Sequence, residues 1–245
     1  MCGIVGFTGN HQAAPILLDG LSKLEYRGYD SAGIAVRDGE GETTVIKAKG
    51  RLRGLAEKTN GGESVPGTCG IGHTRWATHG EPSENNAHPH VSDDGNIVAV
   101  HNGIIENYQE LKDKLTRKGY TFYSETDTEV AVKLIDYYYK KYEGTPVDAI
   151  NHSMVRIRGS YALAIMFRDY PEEIYVARKD IIKEMSPGTD VEMYQQLKEL
   201  ICVDVLKAIQ FLGFNYKEAI GEPLTQICAN AILSKSRKTG QSKRK

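Results

Sequence analysis

The sequence predicts an α+β protein in which antiparallel hairpins and grouped helices stack as layers. Two pairs of strands carry that reading. Ser31 to Val36 and Thr43 to Lys49 flank the tight polar turn Asp38-Gly39-Glu40-Gly41, a link so short that it joins only antiparallel strands. Tyr161 to Phe167 and Glu173 to Arg178 meet at Asp169-Tyr170-Pro171, and the first of them is apolar on both sides, which requires cover on both faces of its sheet. Strands placed in hairpins with helices in separate pairs argue for α+β layers and not for a doubly wound parallel sheet.

Size and charge narrow the class further. With 245 residues, 40% apolar and 26% charged, the chain can bury a full core. Its 31 basic and 32 acidic side chains leave a net charge of -1, which gives no general attraction to nucleic acid or anionic lipid. Only residues 234–245 form a basic run, expected to be a solvated, disordered tail. Cys2, Cys69, Cys202 and Cys228 are widely spaced, without a Cys-x-x-Cys pair. No apolar stretch reaches the ~18 residues of a membrane span and no secretory leader opens the chain. A cytoplasmic protein with reduced thiols is expected.

Taken in order, Gly3 to Gly6 is an apolar run behind Cys2. Ile16, Leu17, Leu21 and Leu24 recur at helical spacing, so a helix is expected over Ala13 to Tyr26, stopped at Arg27-Gly28. After the first hairpin, Gly50 to Asn60 reads as a short helix and 61–67 as a loop. Thr68 to Ala77 reads as a strand delivering His73 to Gly80 to its far end. The aperiodic Glu81 to His90 follows, a loop rich in hydrogen-bonding groups. Asn96 to Val100 is a buried strand leading into His101-Asn102-Gly103. Asn107 is placed to cap a helix through Lys118, closed by Gly119. Thr121 to Ser124 reads as a strand, Thr128 to Tyr142 and Val147 to Ile157 as helices. Beyond Lys179, Val191 to Leu212 and the stretch after Pro223 read as helices.

Chemistry concentrates in four places. Removal of Met1 would leave Cys2 with both a thiol and an α-amine, a nucleophile and a base in one residue; an ordinary small residue on a strand is the plain alternative. Asn102-Gly103 can supply an amide side chain and an unshielded backbone N–H to an oxyanion, or simply form a turn. Arg75 offers a planar fork for a carboxylate or a structural ion pair. Asp127 can pair with an ammonium or cap the helix that follows. The five histidines from His73 to His101 include His88-Pro89-His90, yet no helical His/carboxylate pair at i, i+4 spacing supports a metal site.

Cys2-Gly3-Ile4-Val5-Gly6, Tyr26 to Gly33, Gly72 to Gly80 and His101 to Tyr108 together resemble the glutaminase domain of glucosamine-6-phosphate synthases, class II amidotransferases with an N-terminal nucleophile. The block Arg75-Trp76-Ala77-Thr78-His79-Gly80 favours that family over other class II amidotransferases. The resemblance implies a four-layer αββα sandwich of the N-terminal-nucleophile hydrolase type. It implies that Cys2 attacks the carboxamide of L-glutamine, with Asn102 and Gly103 as oxyanion hole. It further implies Arg75 on the α-carboxylate, Asp127 on the α-ammonium, and Trp76, Thr78, His79 and His88 around the pocket. Neither metal nor cofactor is implied.

The likeness covers Cys2 to about Lys179. A glutaminase domain is therefore expected over 1–180, an atypical helical segment over 181–233 and the basic tail over 234–245, with no recognisable sugar isomerase region. Two functions follow: a glutaminase that either acts alone or delivers ammonia to a separate synthase or isomerase subunit for amino-sugar synthesis, or a truncated or rearranged module that binds or regulates through its helical tail.

Overall fold

The computed structural model describes residues 2–25, 28–77 and 80–179. In chain order these form β1 (Gly3–Thr8), α1 (Ala13–Ser22), β2 (Ser31–Arg37), β3 (Thr43–Lys49), α2 (Leu52–Lys58), β4 (Cys69–Arg75), β5 (His90–Val91), β6 (Ile97–Ile105), α3 (Tyr108–Thr116), α4 (Asp127–Tyr142), α5 (Pro146–Met154), β7 (Gly159–Phe167) and β8 (Tyr175–Lys179). The strands make two antiparallel sheets, ordered β1-β4-β2-β3 and β5-β6-β7-β8. Both expected hairpins are present, as β2–β3 and β7–β8.

Strand alternation sorts the side chains into three apolar layers. From the first sheet, Val5, Phe7, Ala32, Ile34 and Val36 pack on Leu17 and Leu21 of α1 and Leu55 of α2. Their alternates Ala35, Cys69 and Ile71 meet Val98, Val100, Ala164 and Met166 of the second sheet. The other face of that sheet, with Ile97, Ala99, Ile105, Leu163, Ile165 and Phe167, packs on Leu111 of α3, Val130 and Ile135 of α4 and Ile150 of α5. The order is helix, sheet, sheet, helix, which is the four-layer sandwich. β7 is buried on both sides because both its faces have cover.

Several elements differ from the sequence reading. β6 continues past Val100 to Ile105, paired residue for residue with β7, so Asn102-Gly103 is mid-strand and not a turn. Gly103 adopts φ +128, and a Cβ there would stand 2.2 Å from the Ser160 carbonyl oxygen, so only glycine fits this point of the ladder. Thr121 to Ser124 is not a strand: the Glu129 carboxylate accepts from Tyr123 N, Ser124 N and Ser124 Oγ and holds it as a loop. Asn107 stands at the start of α3, but its side chain spans to Arg156 O and Arg158 N and does not cap the helix. α1 ends at Ser22, before the expected limit, and α2 is shorter than 50–60. The segments 181–233 and 234–245 lie outside the described residues. No described helix is long and apolar enough to cross a membrane.

Candidate active site

The polar end of the layer between the sheets follows from the same alternation. On β4, Cys69 and Ile71 face the second sheet, so His73 and Arg75 do too. On β6, Val98 and Val100 face the first sheet, so Asn102 does as well. Cys2 precedes β1, which pairs with β4 so that Gly3 lies opposite Thr74. Four residues from three separate stretches of sequence thus reach one end of one layer.

Their contacts are specific. Cys2 Sγ accepts the Trp76 N–H at 3.1 Å and lies 3.6 Å from Trp76 O. Asn102 Nδ2 donates to Cys2 O at 3.3 Å, and Asn102 Oδ1 lies 2.8 Å from His73 Nε2. Burial raises the Cys2 thiol above its ordinary pKa, with the Trp76 N–H the strongest opposing influence; Asp30 and Arg75 also act on it, in opposite senses. A raised thiol needs a base to become the nucleophile.

Arg75 is buried, its Nη2 donating to Gly80 O at 3.1 Å and its Nη1 lying 3.6 Å from Asp30 Oδ1. Asp30 also accepts from Ala77 N and Ser31 Oγ, so it steadies both the arginine and the chain leaving β4. Trp76 is 54% exposed, and its ring covers Gly28, where φ is +68 and a Cβ would meet Cζ3 at 2.8 Å. Thr78 and His79 lie outside the described residues.

The edge of β6 away from β7 is open beyond the two residues of β5. Ile97 N, His101 N and Ile105 N all find partners on that side, in Ser92 Oγ, His88 Nδ1 and Asp127 Oδ2. By strand period Gly103 N–H belongs to the same edge, where its residue is exposed. Asp127 therefore reaches β6 two residues beyond Gly103, at 2.9 Å from Ile105 N, and lies 3.9 Å from His101 Nδ1. The α4 cap is Thr126, whose side chain accepts from Glu129 N. This leaves Asp127 free of the capping role.

His88 is 5% exposed and sits behind the site, its ring 4.2 Å from that of His73 and 5.0 Å from that of His90. Burial holds all three imidazoles neutral, His73 down to about 3 and the other two well below the usual range. Among the described residues no group of three His, Cys, Asp or Glu side chains is arranged to hold a metal ion. Two residues of this site, Asp30 and His73, were not singled out from sequence; the signal for His73 was its position two before Arg75 on one strand.

Comparison with known proteins gives a consistent result. Residues 73–184 match the family described as glutamine amidotransferase domain. Glutamine–fructose-6-phosphate aminotransferases [isomerizing] of Caldanaerobacter subterraneus and Clostridium tetani are each 56% identical over 180 residues, 74% of this chain and 29% of theirs. That of Pyrococcus horikoshii is 52% identical over 74% of this chain and 30% of its own. The chain thus spans under a third of the length of these relatives. Among solved structures, the glutamine phosphoribosylpyrophosphate amidotransferase from B. subtilis superposes with a TM-score of 0.62 at 31% identity, covering 73% of this chain and 37% of its own. An allosteric regulatory enzyme of purine biosynthesis gives 0.58 at 33% identity, over 69% and 36%. Nothing in these likenesses supports the binding-module alternative.

Proposed function

We propose that the first three quarters of this chain, the part that is 56% identical to a glutamine–fructose-6-phosphate aminotransferase, is a glutamine amidotransferase domain and hydrolyses the carboxamide of L-glutamine through Cys2. Once Met1 is removed, the α-amine of Cys2 takes the thiol proton and Sγ bonds to the carboxamide carbon. The oxyanion that forms is met by Asn102 Nδ2 and Gly103 N–H, donors fixed in advance on one strand. Collapse expels ammonia, which carries off the proton, and leaves a thioester. Water then cleaves the thioester to glutamate and restores the thiol.

Arg75 holds the substrate α-carboxylate through its fork, and Asp127 the α-ammonium from the open edge of β6. Trp76 borders the pocket, a role the family resemblance extends to Thr78 and His79, and His88 supports it from behind. The observation that carries the reading is the placement of the Asn102 amide against Cys2, 3.3 Å from its carbonyl oxygen. No chance surface pairing would bring a mid-strand asparagine of one sheet to the amino end of the other.

The relatives' names include fructose 6-phosphate as the amino acceptor, and a separate acceptor unit for the ammonia fits this chain, destined for amino-sugar synthesis. Glutamate release measured alongside intact mass tests the mechanism. Chain lacking Met1 is expected to hydrolyse glutamine, and Cys2→Ala to lose on the order of 10⁴-fold or more in kcat. Turnover by chain that retains Met1 would refute the amine as base.

A further inference from the structure

We infer that His73 is a positioning residue of this site: its Nε2–H holds the Asn102 side-chain amide with the donor end turned to Cys2. The inference rests on the glutaminase reading and adds a residue that acts through another.

The proton assignment follows from chemistry alone. Asn102 faces two groups, the Cys2 carbonyl oxygen at 3.3 Å and His73 Nε2 at 2.8 Å. A carbonyl oxygen only accepts, so the end of the amide facing it is Nδ2. Oδ1 then faces His73, and His73 must carry its proton on Nε2. The two sheets supply the two partners, β4 the histidine and β6 the asparagine, so this hydrogen bond crosses the layer beside the nucleophile.

The amide is otherwise a poor choice for a preorganised donor. Its O and N ends are nearly the same size, and rotation about its last bond is broad and roughly two-fold. Turned by half a revolution, Asn102 would present Oδ1 to the developing negative charge and oppose it. The Cys2 carbonyl selects the right orientation from one side through a long bond. His73 selects it from the other through a shorter one.

The surroundings keep His73 able to do this. It is fully buried, its ring lies 4.2 Å from that of His88, and His88 is in turn tied to β6 by accepting from His101 N. Burial keeps the imidazole neutral, with the Asn102 hydrogen bond and nearby Arg75 acting less strongly and in opposite directions. A neutral ring has one proton, and two acceptors face it: the Asn102 oxygen, 2.8 Å from Nε2, acts on the ring more strongly than the backbone of His101 and places the proton on Nε2.

The test compares His73→Leu, which has no donor, with His73→Gln, whose Nε2 can reach the place of the imidazole Nε2. Both are made in the full chain with Met1 removal verified by mass. Leucine is expected to lower kcat about 30-fold with KM within about twofold of wild type, because the lost alignment matters only once charge develops. Glutamine is expected to recover kcat to within about fivefold. Leucine with unchanged kcat, or glutamine as poor as leucine, overturns the inference. Should the leucine variant not fold, the side-chain NH₂ protons of Asn102 in the wild-type chain decide by NMR. Protection in wild type that His73→Gln retains supports the inference; free exchange in wild type, or protection lost in His73→Gln, overturns it. A wild-type chain that does not hydrolyse glutamine would sink the functional reading, while the exchange measurement still judges the His73–Asn102 bond.

Discussion

Cys2 and Cys69 occupy opposite ends of one layer. β1 and β4 run antiparallel with Thr8 against Cys69 and Gly3 against Thr74, so the two thiols lie a strand length apart between the same two sheets. Cys69 is 1% exposed among apolar side chains, its Sγ 3.9 Å from Met166 Sδ, and burial pushes its pKa up to about 11. Cys2 is half-buried among donors, and burial raises its thiol as well. The protein thus depresses neither thiol. What distinguishes Cys2 is the α-amine released with Met1 and the amide donors around it, while Cys69, touched by the Thr8 side chain and Met166, has no base beside it. Reactivity in this layer comes from neighbours that act on the proton and on the oxyanion, not from a thiol made acidic in advance.

The polar end holds its histidines neutral at a cost that pH can reveal, and this is the largest effect that separates the two ends. His73 titrates near 3 in the folded chain, with His88 and His90 also far below their unfolded value of ~6.5. The unfolded chain therefore binds more protons once pH drops below ~6.5. Stability is full above that point and falls on acidification, by about 1.4 kcal/mol per pH unit for each histidine. Three together remove about 4 kcal/mol per unit, against a typical total of ~5–15. Denaturant melts at pH 7, 6 and 5 should show this slope, and His90→Gln should reduce it by about a third. A flat profile between pH 6.5 and 5 would break the picture of a buried neutral cluster.

A smaller effect tests the donors themselves. Asn102→Ala removes one of the two oxyanion donors, which costs ~3 kcal/mol of barrier, or roughly 10²-fold in kcat. Its KM should move little, because the ground-state carbonyl gains less from that donor. A parallel rise in KM would assign Asn102 to binding and not to the oxyanion.

The two ends also differed in how far sequence could show them. The apolar end was legible: the run 161–167, apolar on both sides, and the hairpin turns predicted its strands, and the sheets pack accordingly. The polar end was legible as chemistry but not as backbone. Asn-Gly carries the local signature of a turn, and only the pairing of Ile97–Ile105 with Gly159–Phe167 keeps it extended. Thr121 to Ser124 has the composition of a strand, yet a glutamate from the next helix claims its N–H groups. His73 and Asp30 were missed because each acts on another site residue, in Asn102 and Arg75, and such a contact has no signature until the sheets are stacked.

The smallest effect is expected at the apolar end. Cys69→Ala removes one sulfur from the packed cluster that holds Ile71 and Met166, together with its contacts to Met166 and the Thr8 side chain, none of which reaches the site. Loss of buried surface and the small void should cost about 1–2 kcal/mol, read as a lower denaturant midpoint at unchanged slope. Turnover of glutamine should stay within twofold of wild type, since the sulfur lies a full strand from Cys2. If Cys69→Ala instead lowered kcat tenfold while the protein stayed folded, the layer would not divide into a packing end and a chemical end. The strands would then be transmitting strain along their length, and the separation drawn between the two thiols would fail.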